Sequence, residues 1–235
     1  MDLSTAKVLV TGGSSGIGRA TARLLVERGA RVAISGRRAD ALESAARDVG
    51  ATAVPGDVSK EADARRMVAT VLESFGDYDV LVNNAGFGAF APLVETSAAD
   101  FRRVWETNVL GAMLVARESA RHFVARGGGN IVNVASTSGT RGSANGTAYV
   151  ATKFALSGMT ESWRAELRTH NVRVMQVNPS EVLTDFVVNS GRPARPDNPT
   201  KLRSEDIALA IAHMLEMPDR GFVTEMTVFA TNPKD

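Results

Sequence analysis

Tyr149 and Lys153 stand four residues apart in the segment AYVATKFALSG, in a chain of 235 residues with only two tyrosines. Four residues is one helical turn, so a phenol and an ammonium group would share a face and lie within reach of each other. Such a pair could exchange protons with a bound molecule. A core tyrosine beside a solvated lysine has the same spacing, so the pair acquires meaning only if the rest of the chain builds a site around it.

A second group of residues suggests what that site would hold. Thr11-Gly12-Gly13-Ser14-Ser15-Gly16-Ile17-Gly18 joins the apolar run KVLVT to a helix beginning near Arg19. Glycines at such a junction permit a tight turn and close backbone approach, and free amides at the helix start attract a pyrophosphate. The spacing is G-x-x-x-G-x-G rather than the commoner G-x-G-x-x-G. About twenty residues on, where an NAD-binding protein usually offers an acid to the ribose hydroxyls, this chain has Ser35-Gly36-Arg37-Arg38. Guanidinium groups there would pair with the 2′-phosphate of NADP. The plainer alternative is two solvated arginines opening a helix.

These residues need a scaffold, and the hydropathy pattern supplies one. Strands are expected at 7–11, 31–35, 51–55, 79–83, 130–136, 172–178 and 222–230. Several are continuous apolar runs, as in parallel strands buried on both faces. Helix-period segments alternate with them: GRATARLLVERG, KEADARRMVATVLESFG and one long helix, DFRRVWETNVLGAMLVARESARHFVARGG. Gly29, Gly76 and Gly127 serve as C-terminal stops, and SEDIALAIAHMLEMP opens on a Ser204 N-cap and ends before Pro218. Strand and helix in alternation predict an α/β fold, a Rossmann-type doubly wound parallel sheet of about seven strands with helices on both faces. Ligands in such a sheet bind beyond the carboxyl ends of the strands. We expect one domain over 1–235. The proline-interrupted stretch near 185–203, holding Pro193, Pro196 and Pro199, is expected as a substrate lid.

Composition narrows the function classes. A formal net charge of +1 supplies no broad field for nucleic acid. Cysteine is absent and the three histidines are scattered, which argues against disulfides and a metal centre. No run of eighteen apolar residues and no basic leader is present, so a soluble, unprocessed, cytoplasmic protein without membrane contact is expected.

Taken together, the motifs resemble the short-chain dehydrogenase/reductase family, in its shorter single-domain branch, over almost the whole chain. The resemblance is carried by TGGSSGIG at 11–18, Asp57 in GDV, NNAG at 83–86, Asn108 in the long helix, Ser136 after NIVNVA, Tyr149-x-x-x-Lys153, and PSEVLT at 179–184 in place of PGxVxT.

The resemblance implies NADP(H)-dependent hydride transfer between nicotinamide and a carbonyl or secondary alcohol, with Tyr149 as general acid and base. A free phenol titrates near 10, and the charge of Lys153 would favour phenolate while its side chain grips the nicotinamide ribose. Ser136 would hydrogen-bond the substrate oxygen and Asn108 would hold a relay water. For the dinucleotide, the resemblance assigns the pyrophosphate to Gly12, Ser14, Ser15, Gly16, Ile17 and Gly18, and the 2′-phosphate to Arg37 assisted by Arg38. It assigns the adenine to Asp57 and Val58, the adenosine side to Asn84, Ala85 and Gly86, and the carboxamide to Thr184 near Pro179. Ser180 departs from the family's glycine. Phe87, Phe90, Phe186 and Val187 are candidates for an apolar wall, and Arg192, Arg195, Lys201 and Arg203 for attracting an anionic substrate. A homotetramer or homodimer is implied, through the helices holding Trp105, Met113 and Trp163. The alternative is a catalytically silent nucleotide-binding or redox-sensing protein on the same fold. An epimerase or dehydratase of the longer branch fits the glycine spacing less well.

Overall fold

The computed structural model describes residues 1–193 and 196–231. Its centre is a seven-stranded, wholly parallel sheet of order β3-β2-β1-β4-β5-β6-β7. The strands are β1 Lys7–Thr11, β2 Arg31–Gly36, β3 Thr52–Pro55, β4 Val80–Asn83, β5 Gly129–Val134, β6 Val172–Pro179 and β7 Glu225–Val228. The helices are α1 Gly16–Glu27, α2 Ala39–Val49, α3 Glu61–Phe75, α4 Ala98–Trp105, α5 Ala112–Arg126, α6 Thr147–Leu167, the four-residue α7 Phe186–Asn189, and α8 Ser204–Glu216.

Alternation along each strand divides the core between the two faces. Val8, Val10, Val32 and Ile34 pack with Leu25 of α1, Leu42 of α2 and Ile207 and Ile211 of α8. Leu9, Leu81, Ile131 and Val174 face the other way, onto Met67 and Val71 of α3 and Leu114 and Phe123 of α5. All of these are buried. Strand order reverses direction between β1 and β4, which opens a crevice at the carboxyl ends there.

Three details of the sequence-derived elements need correction. The long helix is continuous but not uniformly α-helical: a π-helical segment, Glu106–Gly111, joins α4 to α5, with helical dihedrals at both junctions. A Cβ on Gly111 would stand 2.7 Å from the Val58 side chain, so this turn presses on the loop after β3. The last strand is four residues rather than nine, while Phe222, Val223 and Ala230 beside it still pack on the core. Arg203, not Ser204, is the N-cap of α8, its N–H donating to Asp206 at 2.8 Å. The stretch 185–203 carries the short helix α7, and Arg195 lies outside the described residues. Among the described residues no helix is long and apolar enough to cross a membrane, and no group of three His, Asp or Glu could hold a metal ion.

Candidate active site

Loops leaving the carboxyl ends of six strands surround one cavity of about 860 Å³, a size typical of small-molecule sites. After β1, Gly12, Ser14, Ser15, Gly16 and Ile17 line it; after β2, Arg37 and Arg38; after β3, Asp57 and Val58. Asn84, Ala85 and Gly86 follow β4, Ser136 follows β5, and Pro179, Ser180 and Thr184 come from the end of β6 and beyond. Tyr149 and Lys153 enter from α6. Two of the residues singled out from sequence stand behind the wall instead, Gly18 and Asn108.

The glycine turn is shaped by close contacts. Gly12 has φ +66°, and a Cβ there would stand 2.8 Å from the backbone of Ala85. At Gly18 it would stand 2.5 Å from the carbonyl oxygen of Gly12 and 2.4 Å from Asn84 Nδ2. That space belongs to Asn84, whose Nδ2 donates to the carbonyls of Thr11 (2.9 Å) and Gly12 (3.2 Å). The backbone N–H groups of Asn84 and Ala85 both donate to Thr11 Oγ1. The loops after β1 and β4 are thereby tied together, and no side chain caps the first turn of α1. Free amides facing a gap without side chains fit a dinucleotide pyrophosphate. Arg37 and Arg38 are exposed at the end of β2. Asp57 accepts from the N–H (3.0 Å) and hydroxyl (2.8 Å) of Ser59, which sets the turn after β3.

At the opposite end, α6 is pinned by polar groups that rise from the buried sheet. Asn83 Nδ2 donates to Asn133 Oδ1 (3.1 Å), Asn133 Nδ2 to Thr160 (2.8 Å), and Gln176 Nε2 to Ser157 (3.1 Å). Buried amides left unpaired would be costly, so this network fixes the helix that carries Tyr149 and Lys153. Lys153, 6% exposed, donates to the carbonyl of Val134 at 2.8 Å, and its Nζ lies 5.6 Å from the centroid of the Tyr149 ring. Burial pulls Lys153 down to about 8. Burial pushes the Tyr149 phenol up to about 12, against smaller downward pulls from the Ser136 hydroxyl and the Arg192 charge. Desolvation therefore sets the direction, and the pulls against it come from Ser136 and Arg192 rather than from Lys153. Ser136 Oγ accepts from the N–H of Ser138 at 3.1 Å, leaving its own proton to donate.

Asn108 sits in the π-helical segment, 2% exposed. Its Oδ1 accepts from the Phe87 N–H (3.1 Å), and its Nδ2 donates to the Phe87 carbonyl (2.9 Å) and to Thr152 Oγ1 (3.1 Å). The side chain thus clamps the loop after NNAG to α6. Ser180 shows no positive φ, since among the described residues only Asn145 and Asn171 do so without being glycine. The backbone at this position makes no demand for glycine.

Phe87, Phe90, Phe186 and Val187 line the cavity, with Arg192, and Phe90 and Phe186 pack on the Tyr149 ring. Sequence reasoning missed Arg103 and Thr107, which line the cavity one helical turn apart, and it missed the clamp partner Thr152. The i, i+4 spacing of the first two was a usable signal.

The profile of the family described as short chain dehydrogenase matches residues 6–194. This chain belongs to the short-chain dehydrogenase/reductase family. As a short-chain dehydrogenase/reductase it is an oxidoreductase whose fold binds a nicotinamide cofactor. A cis-4-hydroxycyclohexanecarboxylate dehydrogenase of Sinomonas cyclohexanicum is 39% identical over 217 residues, 88% of this chain and 87% of that protein. Curated relatives are matched over shares of their own length running from 52% to 99%. An alcohol dehydrogenase of Thermococcus sibiricus, complexed with 5-hydroxy-NADP, superposes with a TM-score of 0.88 at 30% identity, covering 98% of this chain and 99% of that one. A 3-ketoacyl-(acyl-carrier-protein) reductase of Brucella melitensis, complexed with NADH, gives 0.89 at 30% identity over 97% and 98%.

Proposed function

We propose that this short-chain dehydrogenase/reductase is an NADP(H)-dependent carbonyl reductase, with Tyr149 as its general acid and base. One observation carries the reading: Ser136, Tyr149 and Lys153 line the same cavity as the Gly12–Ile17 turn and Arg37. A bound nicotinamide dinucleotide supplies or accepts the hydride. The amides of the turn hold the pyrophosphate, and Arg37, assisted by Arg38, holds the 2′-phosphate. The preference for NADP over NAD rests on those two arginines. Asp57 and Val58 border the adenine, Asn84, Ala85 and Gly86 the adenosine side, and Thr184 with Pro179 the carboxamide.

The substrate oxygen lies between the hydroxyls of Ser136 and Tyr149. The phenol carries its proton at neutral pH, so Tyr149 protonates the oxygen as negative charge develops there, and the Ser136 hydroxyl stabilises that charge. In the oxidation direction Tyr149 must accept a proton. The Lys153 ammonium then stabilises the phenolate, while Asn108 holds the Phe87 loop in place.

We take residues 1–235 as one nucleotide-binding domain whose segment 185–203 closes over substrate. The exposed Trp105, Leu110 and Val124 of the α4–α5 region and Phe154 of α6 are the proposed contacts of a homodimer or homotetramer, which sedimentation would test. The cysteine-free composition suits a reducing, cytoplasmic setting. No observation favours the alternative of a silent nucleotide-binding protein. The functional test is a panel of ketones and aldehydes with NADPH and NADH. Turnover faster with NADPH supports the proposal; no turnover, or a clear preference for NADH, contradicts it.

A further inference from the structure

A cation stands at the far end of the cavity from Arg37 and Arg38. The guanidinium carbon of Arg192 lies 3.9 Å from the centroid of the Phe90 ring. Phe90 is tilted against Tyr149 at 5.4 Å and Phe186 packs on Tyr149 at 5.3 Å. Phe90 thus holds an arginine beside the phenol, close enough for its charge to act on Tyr149.

Arg192, like Lys153, has no anion among the described residues, whereas the other cations near this end of the cavity do. Arg103 pairs with Asp100 (2.7 Å), Lys201 with Glu181 (2.8 Å) and Arg203 with Asp197 (3.0 Å). Arg192 joins no ion pair among the described residues, and its Nε is buried without a hydrogen-bond partner. Of the three acids on the cavity wall, Asp57 accepts from Ser59, Glu181 is held by Lys201, and Asp185 makes no pair with Arg192. Arg192 as a whole is half-buried; stacking on Phe90 offsets part of the cost of covering its Nε, but an unpaired buried N–H remains unfavourable. The guanidinium lines the cavity without a protein anion among the described residues, and its planar edge is matched by a carboxylate, which accepts two parallel N–H bonds.

We infer that Arg192 anchors a carboxylate on the substrate, so that oxo acids and the corresponding hydroxy acids are the preferred class. The inference rests on the hydride-transfer reading above and names its substrate. Phe90 and Phe186 then border the apolar body between the reacting carbon and the carboxylate.

The test compares 4-oxocyclohexanecarboxylate with its methyl ester, using the full chain and its Arg192→Met and Arg192→Lys variants, each first shown by thermal unfolding to be folded. The wild type is expected to prefer the acid by about 10- to 100-fold in kcat/KM. Arg192→Met removes most of that preference, mainly through KM, and lowers ester turnover far less; Arg192→Lys restores part. In parallel, calorimetry with cyclohexanecarboxylate and cyclohexanecarboxamide in the presence of NADP⁺ reads binding without turnover. Arg192-dependent binding of the carboxylate alone is expected. Equal losses for acid and ester in Arg192→Met make the stack a latch for the lid and overturn the inference, as does a wild type that does not discriminate. If no carbonyl compound turns over with either dinucleotide while the carboxylate still binds through Arg192, the hydride-transfer reading fails and the anchor stands. Binding indifferent to Arg192 overturns the anchor whatever the rates.

Discussion

Lys153 Nζ stands 5.6 Å from the centroid of the Tyr149 ring while donating its 2.8 Å hydrogen bond to Val134. An ammonium group in this buried position is unfavourable for folding, because water is lost and no carboxylate replaces it. Its value falls from 10.5 to about 8, so between those two pH values the unfolded chain binds more protons than the folded one. Stability therefore rises with pH across that window, and the penalty is fully present below about pH 8. Lys153→Met is expected to be more stable than wild type at pH 7 by on the order of 1–2 kcal/mol, after allowing for the lost bond to Val134. The advantage should shrink as pH rises through the window, while carbonyl reduction falls sharply. Urea unfolding at pH 7 and pH 10 checks this, and a variant less stable at pH 7 contradicts it.

Asn108 offers a separate test, because all of its bonds are internal. Asn108→Ala leaves the N–H and carbonyl of Phe87 without their partner, at an expected cost of about 1–3 kcal/mol. The loosened loop carries Phe87 and Phe90, so KM for the carbonyl substrate should rise more than kcat falls. A selective collapse of kcat with unchanged stability would instead mean that the side chain acts on proton transfer rather than on the loop.

Arg37 and Arg38 make the nucleotide preference measurable. Replacing both by serine should weaken NADPH binding by about 10- to 100-fold, the range for a lost charge-assisted phosphate contact, and leave NADH binding nearly as it was. Fluorescence titration with each dinucleotide decides the point. Parallel losses for both would remove the arginines from phosphate recognition.

How far these features could be read in advance varied with the range of the interactions behind them. Val8, Leu9 and Val10 read as a buried strand because both faces of the sheet are covered, and the 11–18 turn was visible because only glycine tolerates the approach of Ala85 and Asn84. The π-helical turn within the long helix was not visible, since Glu106–Gly111 makes contacts with Val58 and Phe87, distant in sequence. The same holds for α6. Asn83, Asn133 and Gln176 interrupt otherwise apolar strands, a hint that buried polar groups have partners, but Thr160 and Ser157 could be named only from the fold. The rise of the Tyr149 phenol to about 12 was also beyond the sequence, because it depends on burial among groups distant in sequence, the Phe90 and Phe186 rings included.

The most direct test is the single-turnover rate of NADPH oxidation by a ketone that the wild type reduces, measured for Tyr149→Phe alongside dinucleotide affinity. With the ring kept and only the acidic hydroxyl removed, the rate should drop by about 10²- to 10⁴-fold while NADPH binds nearly as before. A variant that reduces the ketone at the wild-type rate would show that the proton comes from elsewhere.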